Sequence, residues 1–376
     1  MNLLGLHLQL LIGETVPTAA PLKVNEALES VVVTHRDEGR SGFQLVFQIG
    51  RGVFDVMDYS LLKENRIKLF NRVLLNILFG VTPQPIMDGI ITNHQLAPGN
   101  DPGTSKLTLT GEDVSVMMDL EKETRAYPNL SDELIVYVIL FSYLVPYGIL
   151  PDVQSPASSE TRTVAQQTTT QPNNKTDLEY LSELAGKHGF VFYVDPGPAP
   201  GTNTAYWGPP SRRGRAQGAL SVNMGPNTNV ESISFKYDEI TPKKMTFTLE
   251  NGNQETLDRY SRTPPLASRI PTARKRDFLT RPDGMSDTAA RAKAQGEVNK
   301  SFDKVVTANG TLDALRYGRI LKPRGLVDVR GAGEHYDGTY YVKSVTHKID
   351  VRKGEYKQTF ELTREGVGTT TPFVST

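Results

Sequence analysis

The chain has no cysteine. That excludes disulfides, thiolate metal sites and cysteine nucleophiles, and it fits synthesis in a reducing cytoplasm. Net charge is absent too: 42 Lys and Arg balance 42 Asp and Glu, so there is no general electrostatic case for specific nucleic-acid binding or for an anionic membrane. No stretch reaches the ~18 consecutive apolar residues of a membrane span. The leucine-rich start, MNLLGLHLQLLIG, lacks the cationic region of a signal peptide and is interrupted by His7 and Gln9. Its alternation, with Leu6, Leu8, Leu10 and Ile12 on one face, reads as a strand. Export would then be as part of a particle, or by lysis. GxSxG, P-loop and GxGxxG sequences are absent, which leaves nucleophilic and phosphate-binding enzymes without a starting point. The six histidines form no HxxxH or HExxH pair, so neither a helical zinc site nor any cofactor is expected.

What is present is an ordinary globular composition, 38% hydrophobic and 22% charged over 376 residues, long enough for two or three domains. Residues 1–110 read as a β domain, with a hairpin of Leu28–His35 and Phe43–Ile49, then strands at Ile86–His94 and Lys106–Thr110. Residues 111–215 are mixed. Ser131 suits the N-cap of a helix carrying Leu134, Val138, Phe141 and Val145 on one stripe, ended by Pro146 and Gly148. A polar run, 154–175, reads as an exposed, mobile loop. Thr176 and Glu179 then make a capping box for a helix with Leu178, Leu181, Leu184 and Ala185 buried; Gly189 stops it, and Phe190–Val194 follows as a strand. Residues 216–376 return to β character, with a basic, Pro-rich connection at 261–285 that cannot bury much and an alanine-rich helix at 286–300 capped by Ser286.

The last segment has three strands. Between Thr339 and Ile349, Tyr340 and Val342 share one face, whereas Val345, His347 and Ile349 share the other. A change of phase within one strand predicts a bulge near Lys343-Ser344 that returns both sets to the same buried side. Tyr356, Phe360 and Leu362 alternate with polar residues up to Arg364, the pattern of a half-buried antiparallel strand.

The order Gly325-Leu326-Val327-Asp328-Val329, Asp337-Gly338-Thr339-Tyr340-Tyr341-Val342, Val345-Thr346-His347, Tyr356 and Thr359-Phe360-Glu361-Leu362-Thr363-Arg364 resembles the end of the phage late control gene D and contractile-tail baseplate-hub family, in its VgrG N-terminal-like form without a fused spike. Asp177-Leu178-Glu179-Tyr180-Leu181 through Gly189-Phe190-Val191-Phe192-Tyr193 is similar to the helix-strand unit of that family's insertion, and Gly111-Glu112-Asp113-Val114-Ser115 to the turn that enters it. The resemblance implies an α+β, mainly β fold: two tube-like antiparallel β-barrel domains, 1–110 and 216–376, separated by an α/β insertion, 111–215, with a homotrimer forming a pseudo-six-fold ring. The implied function is a structural baseplate hub that adapts a six-fold inner tube to a three-fold central spike and nucleates tube assembly, not an enzyme. Implied partners are the inner tube protein, other baseplate components and a separate spike protein, since no further barrel or needle repeat follows Arg364. The implied location is the bacterial cytoplasm during assembly, then the virion tail or the baseplate of an injection particle.

Candidate docking residues are Trp207, beside Gly208-Pro209-Pro210, with Arg212, Arg213 and Arg215 in a Gly-rich loop and Arg274, Lys275 and Arg276 in the Pro-rich connection. Such cations would orient an acidic neighbour; solvated loops, and a tryptophan that anchors its own domain, are the plainer readings. Glu121/Glu123 and Glu231/Asp238/Glu239 could pair as acid and base of a tail-associated cell-wall hydrolase or mark a glycan-binding module, the alternative function. Solvated strand and helix ends account for them more simply. An adhesin-like surface protein is a third reading. His347 reads as a packed or hydrogen-bonded strand residue, and His188 as a helix-end residue suited to the dipole.

Overall fold

In a computed structural model, described over residues 2–3, 6–52, 55–59, 61–62, 64–79, 82–101, 103–156, 169–171, 174–210, 212, 214–280 and 285–370, the first half is built from β1 (Leu6–Gly13), β2 (Leu28–Arg36), β3 (Gly42–Ile49), β4 (Arg72–Phe79), β5 (Thr82–Ala97) and β6 (Ser105–Asp113). An α/β insertion follows, with α1 (Asp132–Tyr147), β7 (Ile149–Val153), α2 (Asp177–Lys187), β8 (Val191–Pro196) and β9 (Asn203–Gly208). The last part holds β10 (Gln217–Ser221), β11 (Val230–Tyr237), β12 (Lys243–Thr248), β13 (Gln254–Leu257), β14 (Lys275–Phe278), α3 (Asp287–Phe302), β15 (Val306–Asp313), β16 (Leu326–Arg330), β17 (Gly338–Asp350) and β18 (Glu355–Arg364). As the sequence predicts, Leu8, Leu10 and Ile12 of β1 face the core, and β2 pairs with β3 as a hairpin.

Among the described residues no sheet closes into either of the two barrels implied by the resemblance. Among the described residues one 14-stranded sheet runs β1-β4-β5-β6-β3-β2-β17-β18-β15-β11, with the short strands Asn2–Leu3 and Thr18–Ala19 paired to β1 and a branch through β16 to β10. It is open: the strands at its two ends do not pair with each other. The reason is β2. Instead of closing on a strand of its own half, it pairs antiparallel with the second half of β17, from Ser344 opposite Arg36 to Asp350 opposite Ser30. A strand-to-strand ladder thus joins the two halves, and a six-barrel ring does not describe the molecule.

β17 makes this junction possible. Its first half pairs with β16 and its second half with β2, while β18 lies along its other side. The register on β18 shifts between Val342 and Ser344, so Lys343 is the extra residue of the predicted bulge. Tyr340 and Val342 on one side of it, and Val345, His347 and Ile349 on the other, are all buried. The Lys343 carbonyl accepts the Asp37 N–H at 2.8 Å, which ties the bulge to the end of β2.

The insertion forms a three-stranded sheet, β7-β9-β8, covered by α1 and α2. α2 starts with the expected capping box: Thr176 Oγ1 accepts the Glu179 N–H at 3.2 Å and Glu179 Oε2 accepts the Thr176 N–H at 3.0 Å. Asp113 enters the insertion, its Oδ1 accepting the Ser115 N–H at 3.0 Å and its Oδ2 the Ser41 N–H at 2.5 Å. Gly111 is needed beside it, because a Cβ there would stand 2.2 Å from the Ile90 carbonyl oxygen. The basic connection is more ordered than its composition suggests. Ala267–Arg269 pairs with Val367–Thr369, β14 joins β12 and β13 as a small sheet under α3, and Leu266 and Ala273 are buried. Most of the 154–175 run lies outside the described residues; Gln171 near its end is fully buried.

Candidate partner-docking surfaces

The seven sequence-singled residues do not converge. Trp207, on β9, is fully buried in the insertion; its Nε1–H donates to the Leu181 carbonyl at 3.3 Å and Phe190 meets its ring edge-on at 4.9 Å. Its place follows from β9 lying centrally in the three-stranded sheet, with α2 across it. Arg212 is 4% exposed and holds Asp303 at 3.0 Å and Glu365 at 3.2 Å, with Tyr341 under its guanidinium. Arg213 lies outside the described residues. Arg215 is exposed, as are Arg274, Lys275 and Arg276, the last two on β14 at the edge of its sheet. Trp207 and Arg212 therefore serve the chain's own interior, and the outward cations are Arg215, Arg274, Lys275 and Arg276.

A second exposed surface is apolar. α1 buries Ile135, Val136, Ile139 and Leu140, while Leu134, Val138, Phe141 and Val145 are 49, 47, 56 and 91% exposed. The helix is anchored at its start by Ser131, which accepts the Leu134 N–H at 3.3 Å, and by Asp132, which takes Lys187 at 2.6 Å and His188 at 2.9 Å. Burial alone would raise the Asp132 carboxyl, but these two bonds outweigh it and hold the pKa below the usual range. No charged residue occurs from Leu134 to Pro151. The sequence marks the stripe as apolar; the structure turns it outward.

Several buried charges that fix these surfaces went unnoticed in the sequence. Arg72 grips Asp88 with two bonds of 2.7 Å and reaches the carbonyls of Tyr147 at 2.9 Å and Gly201 at 3.0 Å, joining the first half to the insertion. Arg324, in the left-handed region at φ 63°, pairs with Asp195 and lies 3.8 Å from the Tyr193 ring centre. The one available signal was a lone charge inside an apolar strand, as in Ile86-Met87-Asp88-Gly89-Ile90. His347 is buried and bonds the Tyr356 hydroxyl at 2.8 Å, and His35 bonds Ser41 at 3.0 Å and the Ile86 carbonyl at 2.6 Å, both as packed strand residues.

The carboxylates weighed for hydrolysis are dispersed. Glu123 pairs with Arg125 at 2.5 Å, Glu231 with Lys357 at 3.0 Å, and Glu239 accepts the Tyr237 hydroxyl at 2.5 Å. The Ile240 N–H holds the Asp238 carboxyl below its ordinary value, the opposite of what a general acid needs. Among the described residues no group of three or more His, Asp or Glu could hold a metal ion, and no helix is long and apolar enough to cross a membrane.

No family model matches the sequence, and no curated protein does. Solved structures do. A tail protein from Neisseria meningitidis MC58 superposes with a TM-score of 0.67 at 13% identity, covering 97% of this chain and 98% of that one. The fold is shared with phage tail proteins. The 43 kDa tail protein of prophage MuSo2 from Shewanella oneidensis gives 0.64 at 14% identity over 96% and 98% of the two chains. An E. coli component of the type VI secretion system, itself similar to the T4 tail proteins gp27 and gp5, gives 0.53 at 11% identity over 89% of this chain and 73% of that one.

Proposed function

We propose that the protein is a structural baseplate hub of a contractile phage tail or related injection system. In this reading it acts as a homotrimer on the tail axis, adapting a six-fold inner tube to a three-fold spike protein and nucleating tube growth among other baseplate components. Closed three-fold symmetry suits a part that must serve both. The observation that carries the reading is the end-to-end likeness to two tail proteins, 98% of each. The chain would contribute units 1–110, 111–215 and 216–376, assemble in the bacterial cytoplasm and end in the virion or injection particle.

Two surfaces support assembly. The α1 stripe repeats at spacings of four, three and four residues, the seam on which another apolar element packs. The outward cations Arg215, Arg274, Lys275 and Arg276 would orient an acidic neighbour, and would do so more through association rate than through affinity. Mass measurement and negative-stain imaging at micromolar concentration test the reading. Three-fold particles of three times 41.5 kDa are expected. A population that stays at the monomer mass, with and without tube and spike proteins, refutes it.

A further inference from the structure

A cleft with a volume of about 110 Å³ opens where the turn after β2, the end of α3, the Arg212 segment and β17 meet. Arg212, Arg262, Lys300, Lys304 and Lys343 line it, against Asp37, Glu38 and Asp303. Two of these carboxylates are already engaged. Asp303 takes Arg212 at 3.0 Å and the Tyr260 hydroxyl at 3.2 Å through Oδ1, and Arg262 stands 3.3 Å from its Oδ2. Glu38 takes Lys300 at 3.2 Å. Behind the wall, Glu365 takes Arg212 Nη1 at 3.2 Å and Glu361 takes Lys343 at 2.9 Å.

Beside Asp37, what remains over is donors. Arg212, 4% exposed, buries its Nε–H without an acceptor, and the Arg262 Nε–H, though near Asp303, is not aligned for a hydrogen bond and is likewise buried and unsatisfied. A buried guanidinium N–H without an acceptor costs about 1–3 kcal/mol, more for a charged group. A cation or a donor ligand would worsen this; an acceptor removes it. We propose that the cleft binds one oxyanionic group, a phosphate or a carboxylate, which Lys300 and Lys304 hold at the rim and toward which the Arg212 and Arg262 side chains turn to donate the Nε–H that they bury as they stand. The volume suits one such group or several waters. Burial, reinforced by Glu38, pushes the Asp37 carboxyl up to about 6, so its negative charge facing the ligand fades only as pH falls below neutral.

The proposal does not depend on the hub reading and is tested on the purified chain by calorimetric titration and thermal melts at constant ionic strength. Inorganic phosphate forms one arm and acetate the other, with chloride as background. One saturable site per chain is expected, and Arg262→Gln should weaken it ~10-fold or more by removing a charge-assisted bond. Lys304→Gln, at an exposed rim residue, should weaken it several-fold, and Arg291→Gln, in the distant surface pair with Glu255, should leave it unchanged. Trp207 emission checks that each variant is folded; should Arg262→Gln fail to fold, Lys304→Gln carries the test. Phosphate binding without acetate points to a free or esterified phosphate, and equal binding to the carboxylate of an acidic neighbour. No saturable binding of either ion above chloride, or binding indifferent to Arg262→Gln and Lys304→Gln, overturns it.

Discussion

Replacing Arg72 with Met isolates what a buried ion pair does for this fold. Arg72 and Asp88 have side-chain exposures of 6 and 2%. Burial is the largest influence on the Asp88 carboxyl and raises its pKa above 3.8 even against the bonds from Arg72 and Asn203. Without the guanidinium a buried carboxylate keeps only the Asn203 Nδ2–H at 2.9 Å, and the carbonyls of Tyr147 and Gly201 lose a donor. The expected loss at pH 7 is about 3–5 kcal/mol, the range for breaking a buried pair from one side. Its pH dependence is diagnostic. A carboxylate whose folded pKa is raised binds protons more tightly folded than unfolded, so its favourable contribution is present at low pH and fades as pH rises from 3.8 through the folded value. Arg72→Met should therefore regain stability on acidification, by up to ~1.4 kcal/mol per pH unit. Urea unfolding from pH 7 to 5, followed by circular dichroism, measures both effects. Arg72→Met/Asp88→Leu should recover most of the loss, since an apolar pair strands no charge. A loss below about 1 kcal/mol, or one that does not shrink on acidification, would refute the reasoning.

Three further outcomes are expected. Burial, ahead of the opposing field of Asp195 and the repulsion of Arg324, lowers His35 from 6.5 to about 4, so its stabilising effect is complete above pH 6.5 and is lost as pH falls toward 4. Against wild type, His35→Gln should flatten this slope by on the order of 3 kcal/mol in urea titrations; the comparison sets aside the opposite slope of Asp37 and Asp113, which burial pushes up to about 6. Deleting Lys343 removes the bulge and turns His347 and Ile349 to the solvent face, so soluble yield should collapse, whereas deleting Lys353 in the β17–β18 turn should be tolerated. Trp207→Ala should cost about 3–5 kcal/mol by emptying the insertion core, while Trp207→Phe should cost clearly less in the same urea assay.

Local signals in the sequence carried far. The capping box at Thr176 was legible because its two bonds span three residues, and the Lys343 bulge because two apolar sets of opposite phase can share a core only with one residue added. Partner choice was not legible. Alternation in β2 and β17 fixes which side chains face inward, and it is equally satisfied by a strand closing its own barrel or by one crossing to the other half. α1 shows the same limit in another form: it is apolar nearly all round, so periodicity identifies a helix without saying which stripe is covered. The docking residues divide for a similar reason, since Arg212 finds its acids 91 and 153 positions away along the chain, at Asp303 and Glu365.

The ladder between β2 and β17 also sets a clock on synthesis. Thr34 and Thr346, which bond across it at 3.2 Å, are 312 positions apart. At ~5–20 residues per second the ribosome needs roughly 15–60 s to supply the second after the first. For that interval β3 already flanks β2 while its other edge offers unpaired N–H and C=O groups to any passing strand. The first half can thus collapse early, but its sheet is finished only when nearly the whole chain has been made.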